Sequence, residues 1–310
     1  MPRRGMGVHR IEYAGGGETS VAAGQLASSV SSLGRGLMCV GLRDGSTRVW
    51  NRATLEVEWT LTGHTGAVWA KVSAVGWLIS GSEDHGIRVW DVATGRCEGT
   101  LEGHTDAVRC LAVSGDRLVS GSWDGTAKVW RMEGAVSTWR CERTLAGHGG
   151  VVYCVATWGG KMASGSGDRT IRVWDAGAGT HEQTLAGHEG EVVALVASGQ
   201  RLISSSMDKT VQVWSMAAWA CVHSVQACAA GSAQFILSLT VSGQTLVGGS
   251  YSFPHSRTEE YEARVWDLET LEPLHTLRQA AGQRVIGLAS DGEEVWGAVG
   301  QEGVVWGRRR

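Results

Sequence analysis

The sequence is poor in several features that would direct it toward particular classes of protein. Only 2 Phe, 4 Tyr and 3 Pro occur in 310 residues. No stretch approaches the roughly 18 consecutive apolar residues of a membrane-spanning helix. Lys and Arg total 28 against 31 Asp and Glu, which gives a formal charge of -3, so the surface is not organised to attract phosphate backbones or anionic lipid. We therefore expect neither nucleic acid nor membrane as a partner.

The cysteines do not form a pattern of disulfides or metal ligands. There are 7, an odd number, and none lie in a CxxC pair. Cys97, Cys141 and Cys221 occupy related positions, and we expect them to be buried, reduced thiols. The first residues carry two arginines but no apolar segment of the length found in secretory signals. These features predict a cytoplasmic or nuclear protein with no metal and no cofactor.

Tryptophan is abundant instead, with 15 residues, and its positions are periodic. Seven of the tryptophans follow an apolar residue and precede a turn, at intervals of 40, 40, 44, 40, 52 and 40: Trp50, Trp90, Trp130, Trp174, Trp214, Trp266 and Trp306. A fixed period of this size is the signature of a repeat architecture. The pattern therefore predicts seven structural units of about 40 residues each.

Each unit contains short β-rich runs separated by turn residues. In the third unit, runs at 108–113, 117–122 and 126–130 are divided by Ser-Gly-Asp and Asp-Gly turns, and a fourth run follows at 140–145. Four units also begin with Gly-His, at His64, His104, His148 and His188. Four strands per period are typical of a propeller blade.

These motifs resemble WD40 repeats, and the resemblance covers nearly the whole chain. Gly103-His104 leads to Ser120-Gly-Ser-Trp-Asp124 and Val129-Trp130, and the same order recurs from Gly187-His188 to Trp214. The resemblance implies an all-β fold, a single seven-bladed WD40 propeller over residues 1–310. The repeats look most like those attached to F-box and RING/TRAF-type ubiquitin ligases. Because few residues follow Trp306, we expect the run from Val8 to Tyr13 to supply the outer strand that closes the ring.

A set of Ser, His, Asp and Trp residues recurs at fixed offsets in four units. Its members are His64, Ser82, Asp84 and Trp90; His104, Ser122, Asp124 and Trp130; His148, Ser166, Asp168 and Trp174; and His188, Ser206, Asp208 and Trp214. A Ser-His-Asp catalytic triad is needed once and beside one pocket, so fourfold repetition favours architecture over catalysis. The resemblance implies a hydrogen-bond network that satisfies the buried indole. We predict no catalytic residue.

Two groups of residues are candidates for binding a partner. The first group precedes the turn aspartate of successive units and contains Arg43, Glu83, Trp123 and Met207, which are unusual residues for a solvated turn. The second belongs to the sixth unit, whose extra 12 residues enrich a predicted loop in aromatic and charged side chains, namely Tyr251, Phe253, Arg257 and Tyr261. An alternative for the first group is packing against a neighbouring loop, and an alternative for the second is a tolerated surface insertion.

The sequence therefore predicts a non-catalytic interaction scaffold that binds protein or peptide ligands on its rim of loops. We expect a monomeric propeller that works within a complex. A narrower hypothesis is a substrate-recruiting subunit of a ubiquitin ligase, although the attached ligase module is not evident. The alternative is a propeller enzyme with a site at the central channel, which the apolar starts of the innermost strands, such as Ala67-Val68, supply poorly.

Overall fold

The computed structural model describes residues 18–22, 27–34, 36–51, 54, 56–74, 76–228, 234–252, 262–278, 285–290, 295–299 and 304–308. Within these ranges the regular structure is β-strand, apart from one turn of 3-10 helix at Val136–Thr138. The first strand, β1, is Glu18–Ala22. The strands after it lie in antiparallel sheets of four.

Six sheets are each built from four strands that are consecutive in the chain, and we call these sheets blades 1 to 6. The strands of blades 1 to 3 are β2 (Ala27–Gly34), β3 (Leu37–Leu42), β4 (Thr47–Asn51) and β5 (Val57–Leu61); β6 (Val68–Ala74), β7 (Trp77–Ser82), β8 (Ile87–Asp91) and β9 (Cys97–Leu101); and β10 (Val108–Ser114), β11 (Arg117–Ser122), β12 (Ala127–Arg131) and β13 (Arg140–Leu145).

The strands of blades 4 to 6 are β14 (Val152–Trp158), β15 (Lys161–Ser166), β16 (Thr170–Asp175) and β17 (His181–Ala186); β18 (Val192–Ser198), β19 (Arg201–Ser206), β20 (Thr210–Ser215) and β21 (Ala220–Gln226); and β22 (Gln234–Ser242), β23 (Thr245–Ser252), β24 (Glu262–Asp267) and β25 (Pro273–Arg278).

The remaining sheet is composite, and it corrects the predicted fold class. Its strands β26 (Val285–Ser290), β27 (Val295–Val299) and β28 (Val304–Arg308) are joined at the outer edge by β1. Counted as sheets of four consecutive strands, the propeller has six blades, so the predicted seven-bladed propeller is wrong. The predicted closing strand, Val8 to Tyr13, lies outside the described residues, and the strand at the outer edge is β1. Glu18 pairs with Arg308 and Ala22 with Val304, because this later segment is in register with β28.

The first strands of the sheets contact one another in ring order, from β2 through β6, β10, β14, β18, β22 and β26 and back to β2. Apolar side chains of adjacent blades pack between the sheets; Ile79 and Val89 of blade 2, for example, share a cluster with Val108 and Leu118 of blade 3. The second strand of each blade from 2 to 5 is buried over five consecutive residues, because a neighbouring sheet covers each of its faces.

The fourth strand of each blade faces solvent, and this overturns the expectation for three cysteines. Cys97, Cys141 and Cys221 are exposed, because each lies at or next to the start of such a strand, opposite the periodic tryptophan of the third strand. Cys39 and Cys154 are buried, as befits positions on inner strands. The period of the repeat therefore predicts that the three cysteines occupy equivalent positions, but it does not predict whether they are buried.

Candidate functional site

A hydrogen-bonded chain joins two loops of blade 3 to the tryptophan of its third strand. His104 Nδ1 lies 2.7 Å from Asp124 Oδ2, His104 Nε2 lies 2.7 Å from Ser120 Oγ, and Trp130 Nε1 donates to Ser120 Oγ at 2.9 Å. Because a carboxylate only accepts and an indole N–H only donates, a neutral imidazole must carry its proton on Nδ1 and receive the serine proton at Nε2. The direction of every bond in the chain is thereby fixed.

The same chain recurs with closely similar distances in blades 2, 4 and 5, and we call blades 2 to 5 the regular blades. The corresponding residues are His64, Asp84, Ser80 and Trp90; His148, Asp168, Ser164 and Trp174; and His188, Asp208, Ser204 and Trp214. Each aspartate also accepts the backbone N–H of the residue that follows the histidine. The network therefore ties the loop entering the blade to the turn between its second and third strands.

The serine of the network is not the one named from the sequence. Each Ser-x-Ser segment begins and ends with a serine, and the first of these two bridges histidine and tryptophan. The predicted residues Ser82, Ser122, Ser166 and Ser206 instead accept the backbone N–H of the turn aspartate, and the first three also donate to a carbonyl of the entering loop. The register decides this, because Ser120 pairs with Lys128, two residues before Trp130 on the third strand.

Burial and hydrogen bonding set the protonation of the network. Burial lowers the pKa of His64, His104 and His148, and the facing aspartate opposes this without reversing it. For Asp124, burial acts to raise the pKa, but the hydrogen bonds from Thr126 and His104 outweigh it and the pKa is lowered. In blades 2 to 4 the pair is therefore a neutral imidazole beside a carboxylate, and the same side-chain geometry recurs in blade 5.

The predicted rim residues occupy equivalent positions, and the backbone fixes them there. The N–H of Glu83 donates to Ala67 O, that of Trp123 to Ala107 O, and that of Met207 to Glu191 O, at 2.9, 3.0 and 2.9 Å. Each bond anchors the turn to the entrance of the same blade's first strand, so the side chain is presented from a rigid base. Arg43 and Glu83 are exposed, Met207 is half-buried, and Trp123 is 39% exposed despite its large apolar area.

Arg43 and Trp123 belong to a cluster that crosses three blades. The guanidinium carbon of Arg109 lies 4.3 Å from the ring centroid of Trp69 and 5.5 Å from that of Trp123, and the guanidinium carbon of Arg43 lies 5.7 Å from the Trp69 centroid. These distances are those of cation–π contacts. We call Arg43, Trp69, Arg109 and Trp123 the Arg–Trp cluster. It lies at the rim, where the first strands of blades 2 and 3 begin.

Two buried donors of this cluster have no acceptor. Within the described part of the chain, Arg109 Nε and Trp69 Nε1 are buried and form no hydrogen bond. Burial also lowers the pKa of Arg109, although a guanidinium stays charged. Next to it, burial and then a hydrogen bond to Glu191 raise the pKa of Tyr153 to about 12. Unpaired buried donors are uncommon in folded proteins, so the missing hydrogen-bond acceptors of Arg109 Nε and Trp69 Nε1 need an explanation.

Sequence reasoning missed Trp69, Arg109 and Tyr153. A β-bulge interrupts the pairing at the start of the first strand in each regular blade, for example between Val108 and Cys110. The bulged residue is left out of the ladder, and these three residues are the bulged ones in blades 2, 3 and 4. A bulge re-aims a side chain at a strand end. The signal was available, because each bulged residue follows the Gly-His histidine by 5 positions.

The sixth-unit residues divide between the described and undescribed parts of the chain. Tyr251 lies in β23 rather than in a loop, pairs with Phe235 and packs on its ring at 5.5 Å between centroids. Because Ser250 pairs with Ile236 as Ser82 pairs with Val68, Tyr251 occupies the rim position of blade 6 that Glu83 occupies in blade 2. Phe253, Arg257 and Tyr261 lie outside the described residues.

The same ranges lack the features of two other classes of site. Among the described residues, no three or more His, Cys, Asp and Glu side chains are grouped so that they could hold a metal ion. No helix in that part of the chain has the length and apolar character needed to cross a membrane.

The comparisons with known proteins agree with this architecture. The family model described as WD domain, G-beta repeat matches residues 55–91, 95–131, 139–175 and 179–215. Four segments of the chain therefore match WD40 repeats, and the structure is a β-propeller; WD40 propellers are typical of protein-interaction scaffolds and are generally non-catalytic. The match identifies WD40 repeats in general and gives no evidence for the F-box or TRAF-associated type predicted from the sequence.

A solved structure of a designed protein has a similar fold. The crystal structure of the computationally designed Ika8 protein is 26% identical to this chain and superposes with a TM-score of 0.72. The alignment covers 92% of this chain and 83% of that one. No curated protein matched the sequence.

Proposed function

We propose that this protein is a non-catalytic scaffold that binds a protein or peptide partner on the rim formed by the turns between the second and third strands. The observation that carries the proposal is Trp123, a large apolar side chain that is 39% exposed on an anchored turn and stacks with Arg109. Exposed Trp and Arg are the residue types most enriched at interaction hot spots. A rigid scaffold lowers the entropic cost of using them.

The test is quantitative affinity purification from cells with the wild-type chain and with Trp123→Ala. Partners that bind this rim should be lost or strongly depleted with Trp123→Ala. Leu274→Ala is the matched control, because Leu274 is also an exposed large apolar residue, 46% exposed, but lies on an outer strand. If Trp123→Ala and Leu274→Ala recover the same partners as wild type, rim recognition through Trp123 is refuted.

A substrate-recruiting role in ubiquitin ligation is a narrower form of the proposal. Its support is the resemblance of the repeats to those of ligase-associated propellers. The same purification tests it, because ligase subunits should remain bound to Trp123→Ala while the recruited substrate is lost. A second variant that lacks residues 252–260 asks whether the extra length of the sixth unit contributes to recognition.

A further inference from the structure

The two arginines of the Arg–Trp cluster are held close together without a neutralising partner. Arg43 is near enough to Arg109 to lower its pKa, and both guanidinium groups lie over Trp69. Among the residues that the structure describes, neither forms an ion pair, and Arg109 Nε and Trp69 Nε1 have no hydrogen-bond acceptor. An anion bound here would offset the repulsion between the two like charges and would accept hydrogen bonds from the unpaired donors.

The acidic side chains nearby do not fill that need. Glu83 is close enough to act on the charge of Arg109, but it makes no ion pair with it, and its side chain is exposed on the rim. Glu191 is engaged by the hydroxyl of Tyr153. Glu83 nevertheless acts on the charge of Arg109, and it limits how much additional negative charge the cluster can accept.

We infer that the Arg–Trp cluster is a specificity pocket for one carboxylate side chain, Asp or Glu, of an extended peptide in the partner. The inference rests on the proposed function and names the chemistry of its ligand. A carboxylate has two acceptor oxygens for the fork of a guanidinium, and the exposed ring of Trp123 supplies an apolar wall for the adjacent side chain.

The local charges favour a carboxylate over a phosphate. A phosphate carries close to two negative charges at neutral pH. Two positive charges, from Arg43 and Arg109, face it, but Glu83 already acts on Arg109, so the second negative charge of a phosphate meets repulsion instead of a free cation. A single negative charge matches the unpaired guanidinium donors with less of this cost.

The test begins with random peptides displayed on phage and selected against the purified wild-type chain. We expect the selected peptides to share one Asp or Glu position. The dissociation constant of one such peptide is then measured by fluorescence anisotropy, together with versions that carry Gln or phosphoserine at that position. Because a charge-assisted hydrogen bond contributes about 1.5–3 kcal/mol, the Gln peptide should bind roughly tenfold or more weakly.

Protein variants assign the effect to the cluster. Arg109→Met keeps much of the side-chain volume but removes the donors, and it should weaken the acidic peptide about tenfold while changing binding of the Gln peptide little. Arg43→Met should have a smaller effect of the same sign. Arg96→Met is the control and should change nothing, because Arg96 is exposed in the turn between β8 and β9, away from the cluster. Thermal unfolding checks that Arg109→Met folds. The exchange of Glu for Gln in the peptide tests the inference on the wild-type protein, so it does not depend on the folding of any variant.

The outcomes separate failure of this inference from failure of the proposed function. If the selected peptides lack an acidic position, or if Glu and Gln peptides bind equally, the carboxylate pocket is refuted, while loss of binding with Trp123→Ala still supports the rim as the interaction surface. Tighter binding of the phosphoserine peptide than of the Glu peptide also refutes the inference. If selected peptides bind Trp123→Ala and wild type equally, the rim proposal fails as well.

Discussion

The regular blades and blade 6 hold the tryptophan of the third strand in different ways. In blade 5, Trp214 Nε1 donates to Ser204 Oγ at 2.8 Å, and Ser204 pairs with Gln212. In blade 6, Gly248 occupies the position of that serine, since it pairs with Arg264 in the same register. A Cβ atom at Gly248 would lie 2.9 Å from a ring carbon of Trp266, so the ring packs directly on the glycine. In blade 6, close packing of Trp266 on Gly248 therefore takes the place of the hydrogen bond from the indole to serine.

Blade 1 differs from the regular blades in another way. Its residue at the network serine position is Val40, which pairs with Arg48, and its turn aspartate, Asp44, accepts hydrogen bonds from Ser46 N and Oγ. The polar network is thus not required for a sheet of this propeller to form. In blades 2 to 5 the network joins the entering loop to the turn between the second and third strands. That turn carries Glu83 in blade 2 and Trp123 in blade 3.

The largest effect should come from removing the aspartate at the centre of the network. Asp124 accepts four hydrogen bonds, from His104, Thr105 N, and Thr126 N and Oγ1. Asp124→Ala leaves the buried imidazole of His104 without the acceptor of its Nδ1 proton. The variant should lower the free energy of unfolding by about 3 kcal/mol, with a fall of several degrees in Tm. Asp44→Ala in blade 1 is the matched control and should cost about 1 kcal/mol or less. Equal losses in urea unfolding would contradict a special role for the network.

The next effect distinguishes the two serines of one segment. Ser120→Ala leaves Trp130 Nε1 and His104 Nε2 without a partner in a fully buried position and should cost about 2 kcal/mol. Ser122→Ala removes hydrogen bonds with Asp106 O and Asp124 N, which lie nearer the surface, and should cost about 1 kcal/mol. Urea unfolding of both variants measures the difference, and a larger loss for Ser122→Ala would reverse the assignment.

A smaller effect should appear as a pH dependence of stability. The pKa values of His64, His104 and His148 are lowered below 6.5 on folding, so the unfolded chain binds more protons near that pH. The stabilisation is complete above about pH 7 and is lost as the pH falls through 6.5 toward the folded pKa values. Tm should therefore fall in this range, and the slope should be shallower in His104→Gln. His223→Gln, outside the network, is the control; an unchanged slope in His104→Gln would count against the linkage.

The smallest effect concerns the turn residue after the aspartate. Lys209 adopts φ 72° in blade 5, where Gly125 adopts φ 78° in blade 3. A left-handed residue with a side chain costs about 1–2 kcal/mol, which the greater flexibility of unfolded glycine partly offsets. Lys209→Gly should therefore raise the free energy of unfolding by about 0.5 kcal/mol, and Gly125→Ala should lower it by about 1 kcal/mol. Differential scanning calorimetry of both variants checks that the signs are opposite.

The sequence alone predicted the repeat, the four-stranded unit and the rim positions. Trp90, Trp130, Trp174 and Trp214 recur with the Gly-His and Asp positions at fixed offsets, and alternation along each run indicates strands. Such local patterns suffice because the hydrogen bonds between the strands of one blade join residues that are close in the sequence. For the same reason, the offset from the turn aspartate is enough to assign Arg43, Glu83, Trp123 and Met207 to one rim.

Other features depended on contacts that no local pattern contains. The edge pairing of β1 with β28 joins residues near opposite ends of the chain, so alternation could not choose Glu18–Ala22 over an earlier run. Strand register selected Ser120 over Ser122, although both serines are buried on one strand. The Arg–Trp cluster arises because β-bulges and the curvature of the ring bring Arg43, Trp69 and Arg109 of three blades together. The sequence alone determined the repeat and the four-stranded structure of each blade. Only the packing of the blades around the ring decided which side chains contact one another at its rim.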